Sequence, residues 1–565
     1  MSNATGEYQF KPHERPTLPG SPASPDHPLG RRIAYLLIGA LVGLTGGLGN
    51  ALVSVNLTYI QGSLGLYSNE IAWLPTAYIM TNACMSLLLI KFRQQFGLLW
   101  FARIFLVLYV IATGAHLLVH TFASALLLRA ISGVAASAMS TLGLLYSMQS
   151  MPPKWRLKGL VLGLGIPQLA TPLARIFSSD LLEFGQWRTL YMFELGMAML
   201  SLAGVTLLRL PPSERIKVFE KLDFLTFILF VGGVGLLSAV LGQGRILWWT
   251  EAAWLGYALC GAIVMLTLAL WIEHHRKNPL LNTRWIGSVT IIRIAIVAVA
   301  MRVLLSEQTF GSVGLLQALG LNNDQMIDLF WVISLVTFLG VLLSALTLSP
   351  SNLGWPILVS IFLIMIGAWL DAHSNNLTRP AQMLISQSLL AFAAVFFLGP
   401  ALLIGLTRAL AQGPAYVVSF SALFGICQNI GGLLGSALLG TFQVVREKYW
   451  SHELVSALTL ANPTFAARLQ SSAGAYGKVI GDPTLRQAQG SALFAQQVTR
   501  EANVLAFNDT FLLIGGLAAL TLIWFGIHYV RYHRQLRQAA ASSSTASPVT
   551  PVTIEPVTTD KVQNS

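Results

Sequence analysis

Charge is scarce in this chain. Asp, Glu, Lys and Arg make up 10% of its 565 residues, while 54% are hydrophobic; soluble globular proteins carry roughly a quarter charged residues. That balance excludes a water-solvated fold for most of the sequence. Cysteine is scarcer still. The three present, Cys84, Cys260 and Cys427, fall in different apolar runs, so neither a disulfide framework nor a metal site is expected. There is no Gly-rich phosphate loop followed by Lys and Ser or Thr, no His-Glu-x-x-His and no Gly-x-Ser-x-Gly. No enzyme and no cofactor is therefore expected, and any driving force must come from something other than ATP. In a membrane, the available source is an ion gradient.

What the chain has in abundance is apolar runs. About fourteen approach the ~20 residues that a helix needs to cross ~30 Å of hydrocarbon, from 33–55 at one end to 508–529 at the other. The fold class expected is an all-α polytopic membrane protein. Alternate short loops are basic, holding Arg31 and Arg32, Lys91 and Arg93, Lys154 and Lys158, Arg215 and Lys217, Arg276 and Lys277, and finally Arg531 and Arg534. Positive loops are retained in the cytoplasm, which places both termini there. The formal charge of +12 is thus a topology signal. Nucleic acid is not an expected partner, because no soluble module concentrates that charge.

Residues 1–30 and 540–565 are rich in Pro, Ser, Gly or Thr and lack core-forming periodicity, so both are expected to be disordered and cytoplasmic. Between them the sequence divides into 31–210, 211–285 and 286–539. The only sizeable extramembrane element is the polar segment 443–507, on the non-cytoplasmic side. Short amphipathic helices are expected within it at 462–470 and 483–505, with Leu493, Phe494, Val498 and Leu505 on one face. It forms either a partner surface or a cover over the bundle rim.

Ionisable residues inside spans are costly and are functional candidates by default. Here they are Arg129 in the fourth run, Arg175 in the fifth, Glu194 in the sixth, and Arg302 with Glu307 in the ninth. At 100° per residue, Arg302 and Glu307 lie about 140° apart, so they do not neutralise each other as neighbours. Glu307 and Glu194 are the candidate proton carriers, with Arg129 and Arg302 as the cations that modulate them. Fixed salt bridges, Glu194 with Arg175 among them, are the structural alternative. Asn50, Gln168, Arg175, Gln387, Gln428 and Asn429 are candidate substrate-cavity residues, or else interhelical hydrogen-bonding glue. In the fifth run Gly163, Pro167 and Pro172 predict a kink, because each proline frees a carbonyl four residues back. That kink is either a gate or a static bend. If Arg175, Arg129 and Arg302 face the cavity, amphipathic acids are the substrates they would favour.

Several motifs occur in a fixed order: Trp73-Leu-Pro-Thr-Ala-Tyr78, Arg129-Ala-Ile-Ser-Gly133, Pro152-Pro153-Lys154-Trp155-Arg156, the kinked fifth run, Trp187-Arg188, Gly244 to Trp248, Asn278-Pro279-Leu280, Gln496-Gln497 and Asn508. Over 33–529 they resemble the fourteen-span drug:proton antiporters of the major facilitator superfamily, specifically the EmrB-like multidrug efflux pumps. The resemblance implies two six-helix bundles plus two inserted spans, Arg129 in proton coupling, and proton-driven export of small amphipathic molecules from a bacterial inner membrane. It also implies a periplasmic membrane-fusion adaptor and an outer-membrane channel as partners. An importer or uniporter, or a non-transporting receptor or scaffold, is the alternative. The sequence departs from the family pattern at Gly49, where an acid is usual, and at Gln428, where an arginine is usual. In the loop after the second run, 90–97, only Gly97 of the usual motif remains.

Overall fold

The computed structural model describes residues 14–16, 20–456, 458 and 463–545. In lipid a backbone must satisfy its own hydrogen bonds, and the apolar runs do so as helices. Among the described residues, fourteen helical segments are long and apolar enough to cross a membrane: α1 (Leu29–Val55), α2 (Ser68–Phe96), α3 (Leu98–His116), α4 (Phe122–Gln149), α5 (Pro153–Glu183), α6 (Trp187–Leu207), α7 (Lys221–Gln243), α8 (Ala253–His275), α9 (Val289–Ala318), α10 (Asn323–Thr347), α11 (Gly354–Asp371), α12 (Pro380–Gln412), α13 (Pro414–Ser456) and α14 (Pro483–Gln535). Among the described residues there is no strand.

The first six helices pack on one another, with α4 touching α1, α2, α3 and α5, and the last six form a second group around α12. The two halves meet where α5 lies against α10 and α12, and where α2 lies against α13. The hairpin of α7 and α8 rests on α2 and α13. Burial separates centre from periphery: 72% of the apolar window of α12 is buried, against 22% for α8. At the basic end an ionic cluster pins the hairpin. Lys91 of α2 meets Asp223 at 2.7 Å, and Arg276 meets Asp223 at 2.9 Å, Glu220 at 2.8 Å and Glu273 at 2.8 Å. Hydrogen bonding from Arg276 and then Asn278 holds the exposed Glu220 carboxyl below its ordinary pKa. Gly97, at the turn between α2 and α3, has φ +83°, and a Cβ there would sit 2.8 Å from Arg215 Nε. This explains why the turn keeps its glycine.

α5 is interrupted as the prolines require. Its α-helix Arg156–Gly165 passes through a 3-10 turn, Ile166–Leu169, before resuming as Ala170–Gly185. The bend is nested in glycines of α1: a Cβ on Gly43 would meet Pro167 Cγ at 3.1 Å, and one on Gly47 would meet Ala170 Cβ at 2.7 Å. Gly163 likewise admits the backbone of Leu144, its added Cβ falling 2.8 Å from that Cα.

One segment differs from expectation and a second extends it. Residues 20–28, expected to be disordered, are packed against the basic end: Gln149 Nε2 donates to the Ala23 carbonyl at 2.8 Å, and the Ala23 amide donates to the Pro212 carbonyl at 3.0 Å. An extended Pro-rich segment needs no periodicity to do this, only groups that satisfy its backbone. The rest of the leader expectation, 1–13 and 17–19, and the tail from 546 lie outside the described residues; the last helix continues to Thr545, beyond the expected boundary at 540. In the polar segment 443–507 the helices expected at 462–470 and 483–505 are present, and the flanking spans are continuous with it. α13 runs on to Ser456, a helix covers Pro463–Gly474, and α14 is continuous from Pro483. Polar contacts zip the extensions together: Gln443 Nε2 donates to Asn503 Oδ1 at 2.7 Å, and Asp509 Oδ2 accepts from Arg446 Nε and from Trp450 Nε1, each at 2.6 Å.

Candidate functional site

Each half buries an acid in its interior. In the first half Glu194 of α6 is 2% exposed and faces α3, where Tyr109 donates its hydroxyl to Oε1 at 2.6 Å and Thr113 makes a longer contact at 3.5 Å. Gly49 of α1 makes room for this group. A Cβ built there would lie 2.2 Å from Tyr109 Oη and 2.7 Å from Glu194 Oε1. The departure at Gly49 is therefore a steric requirement of an acid contributed by another helix.

Arg129, 1% exposed, does not pair with that acid. Its Nη1 donates to the Gly49 carbonyl at 2.7 Å, Nη2 to Asn50 Oδ1 at 2.7 Å and Nε to the Leu74 carbonyl at 3.4 Å. The guanidinium also lies 4.6 Å from the Tyr78 ring centroid, and Tyr78 donates to the Gly46 carbonyl at 3.0 Å. All its hydrogen-bond partners are uncharged oxygens. Arg129 thus joins α1, α2 and α4 beside the acid, with Asn50 as its support.

In the second half Glu307, fully buried, opens a π-helical turn, Glu307–Ser312; such turns frequently mark functional positions. Asp371, at the end of α11, shares a hydrogen-bond donor with it. Gln387 of α12 bridges the two acids, Nε2 donating to Asp371 Oδ2 at 2.7 Å and to Glu307 Oε1 at 3.3 Å. Ser386 Oγ donates to Asp371 Oδ1 at 2.5 Å. Arg302 turns elsewhere, donating from Nε to the Gln428 carbonyl at 3.2 Å, its stem packed on Gly431 of α13. This agrees with the angular separation read from the sequence. Sequence reasoning missed Asp371 because it directly follows an apolar run and reads as the first loop residue. The polar pair Ser386-Gln387, one helix later, was the available signal.

The other candidates separate by location. Arg175 is remote from Glu194 and makes no salt bridge with it: Nη1 donates to Asn323 Oδ1 of α10 at 2.8 Å, and the guanidinium sits 5.0 Å from the Phe330 centroid. Around it the halves are clamped at the end opposite the basic loops. Asn323 Nδ2 donates to the Val55 carbonyl at 3.3 Å and to Asn56 Oδ1 at 3.4 Å, and Ser179 donates to Asp324. Asn429 of α13 reaches Asn82 of α2 at 3.5 Å across the interface between halves, and Asn82 was not singled out from the sequence. Gln428 contributes its carbonyl to Arg302, while its Nε2 is buried without a partner. Gln168 sits half-buried at the bend of α5. The three arginines expected to attract acids are thus engaged in joining helices, and the inference from their charge to acidic substrates loses its basis.

Residues 39–436, well over half of the chain, match the family model of the Major Facilitator Superfamily. The multidrug transporter mfsC of Aspergillus fumigatus is 29% identical over 231 residues, covering 40% of this chain and 43% of that protein, so the chain spans less than half the length of this relative. The uncharacterised MFS-type transporter YhcA of Bacillus subtilis is 20% identical over 82% of this chain and 87% of its own length. Among solved structures, the human organic anion transporter MFSD10 (TETRAN) superposes with a TM-score of 0.50 at 12% identity, covering 87% of this chain and all of the other; at that identity the likeness concerns the fold alone. Two helical halves that each bury an acid, a sequence matching the family model through both, and a fold shared with solved transporters together show that this chain belongs to the Major Facilitator Superfamily.

Proposed function

We propose that this chain is a proton-coupled exporter of small amphipathic molecules that works by alternating access in a bacterial inner membrane. The observation that carries the reading is the buried pair Glu307 and Asp371, bridged by Gln387. Two buried carboxylates that share one amide donor are a site at which a proton can be taken up and released, because like charges brought together in a water-poor interior disfavour ionisation of both. Opening the interface to water or to substrate changes the cost of that proton and so couples its release to the movement. Glu194, held by Tyr109 and Thr113, is a second site of the same kind in the first half. The partial similarity to a protein named as a multidrug transporter supports drug-like substrates. The helical extensions of α13 and α14 are the surface on which a membrane-fusion adaptor, and through it an outer-membrane channel, would be seated.

The test is transport in proteoliposomes with a trapped pH indicator and a panel of lipophilic cations, neutral compounds and acids. Substrate should drive proton movement in the opposite direction. Glu307→Gln and Asp371→Asn should each reduce that proton flux to background while leaving the protein folded. Proton movement in the same direction as substrate would make it an importer, and unchanged coupling in both variants would remove the pair from the mechanism.

A further inference from the structure

A second site lies away from the interface between halves. A groove opens between α3, α4 and α6 at the basic end, and its walls are mostly apolar, including Leu99, Leu106 and Leu202. Two arginines face into it, Arg103 of α3 and Arg209 just beyond α6, and no lining residue is acidic. Neither guanidinium finds an acceptor among the described residues. Arg103 sits one turn inside an apolar helix on an exposed face, a position costly for an unaccompanied cation. The other arginine is held in place. The carbonyls of Leu208 and Arg209 accept hydrogen bonds from Tyr146 at 2.7 Å and from Tyr35 at 3.0 Å, which fixes the main chain that presents Arg209. Arg215 stands over Gly97, next to the groove wall at Leu98, and supplies a third positive group near the mouth.

We infer that this groove binds the phosphate of an anionic phospholipid between Arg103 and Arg209, with an acyl chain lying along Leu99, Leu106 and Leu202. Two like charges facing one cavity repel unless an anion lies between them. The apolar walls select a lipid over a soluble anion, since Leu99 in the wall is 38% exposed and Trp100 and Leu207, beside the groove in sequence, are 52% and 86% exposed, an apolar surface suited to hydrocarbon. Basic pockets between membrane helices on the positively charged side suit anionic headgroups on general electrostatic grounds.

The inference is independent of the transported substrate. Delipidated protein would be examined by native mass spectrometry with phosphatidylglycerol, with phosphatidylcholine of identical chains, and with inorganic phosphate. The wild type should retain one phosphatidylglycerol under conditions that strip phosphatidylcholine. Arg103→Gln and Arg209→Gln should each weaken retention roughly fivefold, the equivalent of about 1 kcal/mol per arginine. Arg103→Lys with Arg209→Lys should keep most of it and guards against a folding defect. Arg32→Gln, on the same face but outside the groove, should have no effect. Retention in the Arg103→Gln, Arg209→Gln double variant equal to wild type, equal retention of phosphatidylcholine, or displacement of the lipid by inorganic phosphate alone would each overturn the assignment.

Discussion

Gly49 decides what can stand beside it. An alanine there pushes against Tyr109 Oη and Glu194 Oε1, both closer than a real Cβ tolerates, and overpacking of this kind costs about 1–3 kcal/mol. Gly49→Ala is therefore expected to abolish proton coupling with a modest loss of thermal stability. Gly196→Ala on α6, where nothing lies within 4 Å of the added carbon, should leave both unchanged; parallel melting and proton-flux measurements check the contrast. Arg129→Lys should also fail, because one ammonium cannot reproduce a fork that spans the Gly49 carbonyl and Asn50. At this scale the sequence was informative where chemistry was out of place. Glu194, Glu307 and Arg129 stand out as charges in apolar runs, and Gly49 as a missing acid. Of their partners, Asn50 and Gln387 stand out as polar residues in apolar runs, whereas Tyr109 and Thr113 are unremarkable until folding brings α6 to them, and Asp371 hides at the end of a run.

Among the helices, α5 shows most directly how a sequence signal becomes a moving part. Its bend was readable from Pro167 and Pro172, and its contact with the opposite half at Gly165 was not. A Cβ on Gly165 would approach Val341 of α10 to 2.5 Å, so Gly165→Ala is a wedge at the basic end of the interface between halves. The expected result is a population open on that side, checked by labelling Asn429→Cys, in a background without native cysteines, with an impermeant maleimide from the basic face. The α7–α8 hairpin offers a second test. Asp223→Leu strands the buried Lys91 and should destabilise by about 3–5 kcal/mol, while adding Lys91→Met should recover a large part of it; a double-mutant cycle of unfolding measurements reads the coupling. The helices themselves were legible because hydrocarbon imposes a length. The extensions beyond them were legible in part: helices at 462–470 and 483–505 were expected, but their continuity with the spans was not, since polar sequence outside lipid carries no such length constraint.

For the whole molecule, two halves and an attached hairpin account for fourteen helices, and the opposite ends are held differently. The end away from the basic loops is clamped by Arg175, Asn56 and Ser179 on one half and by Asn323 and Asp324 on the other. Arg175→Ala should loosen that clamp and raise the population open at that end. The readout is faster labelling of Asn56→Cys from the side carrying Ser471. Orientation itself is checked by Ser471→Cys, which impermeant reagents should reach in intact cells if the basic loops are cytoplasmic. One further property follows from α14. At ~1.5 Å per residue its 53 residues make a rod about 80 Å long, without a break between the bilayer and the distal arm. A small tilt of the second half is amplified at the far tip, as by the long arm of a lever. Under the proposed alternating-access cycle the tip is expected to move as a mechanical stroke, which a pair of fluorophores at Thr484 and on the first half would register as a change in energy transfer in step with turnover.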